Sequence, residues 1–133
     1  VEEAQKAKEA EGQKRLIRLY KLHLSDMSRI TELEALLDER PDDPFLIYAL
    51  AREYEKGAGT MQALLMYEHL VTNHPTYIAT YYHYAKLLQG AGNLNEALRL
   101  LHVGIERSLE AKDMHAASEM KGLLMSWGGD EDE

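Results

Sequence analysis

Pro41 and Pro75 stand 34 residues apart, and the chain behind each of them repeats at that offset. Laying residues 44–77 over residues 78–111 pairs Tyr48 with Tyr82, Ala51 with Ala85 and Arg52 with Lys86. It also pairs Ala63 with Ala97, Leu64 with Leu98 and Val71 with Ile105. A fixed period of this length marks stacked helical hairpins, each too small to bury its own apolar face and stable only against its neighbours. Such an array builds an extended surface rather than a reaction centre.

Helical periodicity runs through the whole chain, and no stretch alternates as a strand would. Residues 2–23 read as one helix, polar and alanine-rich at first, then apolar at Leu16, Ile17, Leu19, Tyr20 and Leu24 near its end. Gly12 weakens its middle by about 1 kcal/mol relative to alanine. Ser25, Asp26, Met27 and Ser28 read as a break, because their side chains suit helix caps. A second helix is expected over residues 28–39, ended by Arg40-Pro41-Asp42-Asp43-Pro44, since proline lacks an N–H and disfavours helix in the residue before it.

Further helices are expected over residues 44–56, 61–72 (with Thr60 as cap) and 78–89, and another from Leu94 onward. The helix from Leu94 should outrun its counterpart, because Leu109 stands where the period requires a third proline. A relaxation at Ala111-Lys112-Asp113 and a last helix over 114–127 complete the reading, with Gly128-Gly129 as the stop.

Composition narrows the function class. One modest domain fits a chain of 133 residues, of which 45% are hydrophobic and 29% charged. No cysteine is present, which excludes disulfides and thiolate chemistry and suits a reducing, cytoplasmic compartment. No apolar run is long enough to span a bilayer. The chain opens Val-Glu-Glu, so no secretory signal is expected. Two readings of its start stay open: a piece of a longer protein, or a natural start at Met27. A net charge of −8 argues against nucleic acid as a partner. The acidic end, Asp130 to Glu133, is expected to be a solvated tail.

These features resemble the tetratricopeptide repeat family. One repeat carries Ile47, Leu50, Ala51, Tyr54, Ala63, Tyr67, Leu70 and Pro75 at the family's pattern positions. The next carries Tyr81, Tyr84, Ala85, Leu88, Ala97, Leu101 and Gly104, then Leu109 in place of proline. Upstream, the same register gives a degenerate repeat over residues 10–43: Leu16, Tyr20, Leu33, Leu36 and Pro41 fit, whereas Ile17 and Arg29 stand where small residues belong.

The resemblance implies an all-α superhelix, a solenoid of stacked antiparallel hairpins with about seven helices. The expected organisation is an N-terminal helix over 1–26, open as the first helix of a degenerate repeat, and a half-repeat helix over 27–43. Full repeats follow over 44–77 and 78–111, then a capping helix over 112–128 and an acidic tail over 129–133.

In this family the first helices of the hairpins line a groove that receives a peptide or helix from a partner protein. The matching positions here include Phe45, Tyr48, Arg52, Glu55, Tyr82, His83, Lys86 and Gln89, with Tyr77 at the same rim. Aromatic and arginine side chains are the usual anchors of such surfaces. The lysine–asparagine clamp that one subclass uses for chaperone tails is not matched, because Tyr48, Arg52 and His83 occupy its positions.

No catalytic set, cofactor or metal site is expected. The histidines do not pair at i, i+4; His69 and His74 come nearest, across a helix end. The basic, apolar stretch from Lys14 to Lys21 admits three readings: a packed repeat helix, a surface that pairs with another copy or a partner helix, or a helix lying on an anionic membrane. A non-catalytic interaction module therefore leads, with self-assembly through the first or last helix as the rival.

Overall fold

The computed structural model describes residues 1–128, apart from the side chains of residues 22–26. Among the described residues six helices follow one another: α1 Glu2–Glu39, α2 Pro44–Lys56, α3 Thr60–Asn73, α4 Ala79–Gly90, α5 Leu94–Glu110 and α6 Met114–Ser126. The principal contacts join each helix to the next in the chain, which is the quasi-one-dimensional stacking of a helical solenoid. The acidic tail lies outside the described residues.

Local chemistry sets most of the boundaries. Asp43 caps α2, its carboxylate accepting from the backbone N–H groups of Phe45 at 2.9 Å and Leu46 at 3.4 Å. Pro44 follows as the first helical residue, where a missing N–H costs nothing. Asn93 accepts from the Glu96 N–H at 3.3 Å to start α5, and Asp113 accepts from the Ala116 N–H at 3.1 Å to start α6. Thr60 does not cap α3. It is the first helical residue, behind Gly59, and no side-chain cap bond forms there.

The ends of α4 and α5 use the same device. Gly92 adopts φ 88° and the N–H of Asn93 reaches back to the Leu88 carbonyl at 2.9 Å. At the end of α5, Lys112 adopts φ 60° and the N–H of Asp113 reaches the Ser108 carbonyl at 2.8 Å. One turn thus has the residue that left-handed backbone favours, and the other has a lysine. With no proline at position 109, α5 runs to 17 residues against 14 for α3.

The core follows the repeat. Ala51, Ala63, Ala85 and Ala97 are fully buried, the small residues that let the two helices of each hairpin approach closely. Tyr67 and Tyr84 stack at 5.7 Å between centroids across the two hairpins. Their hydroxyls donate to Glu55 and Glu68, so the buried rings keep polar partners. Gly104 is a second close approach: a Cβ there would lie 2.6 Å from the Met120 sulfur and 2.6 Å from Tyr81 Cβ.

The expected break at Ser25–Ser28 is not a break. The backbone of residues 2–39 is one helix of 38 residues; whether Ser25 or Asp26 makes any side-chain bond lies outside the described residues. Serine and aspartate inside a helix cost only tenths of a kcal/mol each, too little to stop it without a proline. The degenerate hairpin expected over 10–43 is therefore absent.

Among the described side chains, those in the last part of α1 pack on the repeats. Arg29 Nε pairs with Glu53 at 3.2 Å, the Tyr54 hydroxyl donates to Glu34 at 3.1 Å, and Leu37 packs against the core cluster. The reading of Lys14–Lys21 as a packed repeat helix fails. Leu16, Ile17, Leu19 and Tyr20 are 67%, 55%, 57% and 64% exposed.

Candidate functional site

Helices α2 and α4 are equivalent in the two repeats, and their side chains meet along one face. The Tyr48 ring lies 5.6 Å from that of Tyr77 and 5.7 Å from that of His83. His83 in turn meets Tyr82 edge-on at 5.2 Å. Lys86 Nζ sits 5.3 Å from the Tyr82 centroid, in cation–π contact. Five of the residues singled out from sequence (Tyr77, Tyr48, His83, Tyr82 and Lys86) thus form one continuous row. The three tyrosines and the histidine are half-buried, so each ring is held by the fold and still presents a surface.

Charge lies beside the row. Arg52 Nη1 donates to Glu55 Oε1 at 2.9 Å, and the Tyr67 hydroxyl donates to the same oxygen. Burial opposes the Arg52 charge, but the Glu55 hydrogen bond and charge outweigh it and raise the guanidinium above its ordinary value. Burial pushes the Tyr48 and Tyr77 phenols up, so both keep their protons. Burial, then the charges of Arg52 and Lys86, drives His83 below its ordinary value despite opposing Glu55 and Glu119. A neutral imidazole therefore faces the groove near pH 7.

Two expected residues stand apart. Phe45 is 60% exposed and touches no other ring of the row. Gln89 is exposed near the far end of α4. Sequence reasoning missed what α6 supplies: read as a cap, it also takes the place that the first helix of a third repeat would occupy. A cleft of about 420 Å³ lies between α4 and α6, walled by Tyr82 and His83 on one side and by Asp113, His115, Ala116 and Glu119 on the other. Continued one repeat further, the register that assigns Tyr82 to the groove reaches Ala116 in this cleft wall.

A second cluster lies at the turn between α1 and α2. Asp42 in that turn, His69 in the last turn of α3 and His74 just beyond it come together, their ligand atoms all within 4.8 Å of one another. The sequence set the histidines aside because none pair at i, i+4 and no cysteine accompanies them, with His69 and His74 nearest to a pair across a helix end. Here the helix ends at Asn73, and His74, immediately before Pro75, leaves it at φ −134° and ψ 60°.

Six stacked helices with an aromatic, mixed-charge row on equivalent helices define a helical-repeat module with a prebuilt surface. Two solved structures of tetratricopeptide repeat domain proteins from Salinibacter ruber are similar to it. A solution NMR structure is 34% identical with a TM-score of 0.64, over 70% of this chain and 94% of that one. A crystal structure is 34% identical with a TM-score of 0.63, over 68% of this chain and 100% of that one. No family model matches the chain, and no curated protein matches it. The chain belongs to the tetratricopeptide repeat family.

Proposed function

We propose that the face shared by α2, α4 and α6 captures an extended peptide or a helix of a partner protein, without catalysis and in the cytoplasm. Family membership supports the general part, since these helical repeats are modules generally involved in protein interactions. The observation that carries the specific part is the row Tyr77–Tyr48–His83–Tyr82–Lys86, aromatic rings fixed by mutual contact and left half-exposed. Prepositioned aromatics lose little entropy on binding, and Tyr and Arg dominate interface hot spots. Arg52 and Glu55 supply charges of both signs beside it, which suits a polar peptide backbone or a mixed-charge helix.

The test is capture from the source cell with mass-spectrometric identification, comparing the native chain with a Tyr82→Ala, Arg52→Ala double variant. The double change should abolish capture of the partner and leave the helical circular dichroism intact. Capture that survives it would overturn the groove assignment.

One observation favours a second reading. The first half of α1 extends past the repeats with Leu16, Ile17, Leu19 and Tyr20 all more than half exposed, and such a face suits a second copy of the chain. Light scattering on the full chain and on one starting at Ser28 separates the readings. A dimer lost on truncation supports self-assembly, and a monomer in both cases removes it.

A further inference from the structure

We infer that Asp42, His69 and His74 form a binding site for a divalent transition-metal ion such as Zn²⁺. Two imidazoles and a carboxylate are a donor set that such ions prefer, with the fourth position left to solvent. The geometry is close to what an ion would need. His69 Nε2 lies 2.9 Å and His74 Nε2 3.0 Å from one carboxylate oxygen, Asp42 Oδ1. Ligand atoms around tetrahedral zinc, at bonds of about 2.0–2.1 Å, stand roughly 3.3 Å apart. The three side chains, whose ligand atoms already lie within 4.8 Å of one another, would adjust to seat the ion between them.

The protonation pattern leaves one ligand free. Asn73 Nδ2 lies 3.1 Å from His69 Nδ1 and bonds the His69 carbonyl at 3.1 Å. With Nδ1 accepting, His69 Nε2 carries the proton and donates to Asp42. His74 Nε2 is shielded from solvent and makes no hydrogen bond of good geometry, although it faces the same oxygen. A cation uses this idle nitrogen and replaces the His69 proton. Two separate segments supply the ligands, so the ion would fasten the α1–α2 turn to the end of α3.

Ion binding has one further requirement. His69 can ligate through Nε2 only with its hydrogen on Nδ1, so the Asn73 amide must turn its oxygen toward that ring. An Asn73→Asp change would provide an acceptor there permanently, the arrangement that orients metal-bound histidines elsewhere.

The experiment is calorimetric titration of the full chain with Zn²⁺, alongside NMR of the histidine ring protons. The native chain should bind one ion and shift the His69 and His74 signals. His69→Gln or His74→Gln should each weaken binding at least tenfold, and Asn73→Asp should tighten it about tenfold. His115→Gln, which removes a histidine–carboxylate neighbour pair elsewhere at 3.6 Å, should leave Zn²⁺ binding unchanged. No saturable binding, or binding as strong as the native chain's in either His69→Gln or His74→Gln, would overturn the site. Circular dichroism of each variant separates lost ligation from lost fold.

Discussion

Two tyrosines on two helices show how differently the halves of this chain are held. Tyr67 on α3 is fully buried and its hydroxyl donates to Glu55. Tyr20 on α1 is 64% exposed. Both residues are helical, yet only one helix owes its place to packing. The repeats form a body in which each helix is fixed by its neighbours. The first half of α1 is an arm whose backbone bonds are satisfied internally while its side chains stand in solvent. Length and helix propensity alone hold such an arm, and they hold it weakly.

The largest expected contrast uses those two residues. Tyr67→Ala should cost about 3–5 kcal/mol, because it opens a cavity in the core. Tyr20→Ala should change stability by no more than about 0.5 kcal/mol. Urea unfolding of the two variants checks this, and a large loss at Tyr20 would mean that the arm is covered in solution. Next comes Gly104→Ala, where the added carbon meets Tyr81 and Met120; a loss of about 1–3 kcal/mol is expected in the same assay.

A pH dependence is expected in the body. His83 is held below its ordinary 6.5 when folded, so the unfolded chain takes up that proton first as the pH falls. Stability linked to His83 is therefore complete above about pH 6.5 and lost below it. His83→Gln should flatten the decline between pH 6.5 and 5 in melting experiments and change nothing at pH 8.

The smallest effect is a gain. Lys112→Gly removes left-handed strain at the turn where the equivalent residue is Gly92, and the larger backbone entropy of glycine offsets part of it. A rise of about 0.5 kcal/mol is expected in urea unfolding.

The body was legible from sequence because its signals are local and redundant. Asp43-Pro44 and Gly57 bound α2 at the residues expected, and the missing proline at Leu109 announced the longer α5. The alanines and large apolar residues at the repeat positions became the core. In α1 the signals misled, since cap-forming residues are weak evidence of a break where no proline or glycine accompanies them.

The site was legible where it repeats. Tyr48 and Tyr82 occupy equivalent positions, and the row grew from them. The contribution of α6 was hidden because its sequence no longer repeats, although its position does. His69 and His74 were legible as the nearest histidine pair, across a helix end, but the approach of Asp42 was hidden because it depends on how the α1–α2 turn meets the end of α3. Histidine immediately before a helix-ending proline is the signal that would have pointed to the cluster.

Amide hydrogen exchange, read helix by helix at two protein concentrations, tests the division into body and arm most directly. Amides in the centres of α2 to α5 should exchange only through global unfolding. Residues 2–21 should exchange orders of magnitude faster, at a rate independent of concentration. Protection over residues 2–21 equal to that of the repeats would contradict the account. If that protection grew with concentration, the arm's cover would be a second copy of the chain.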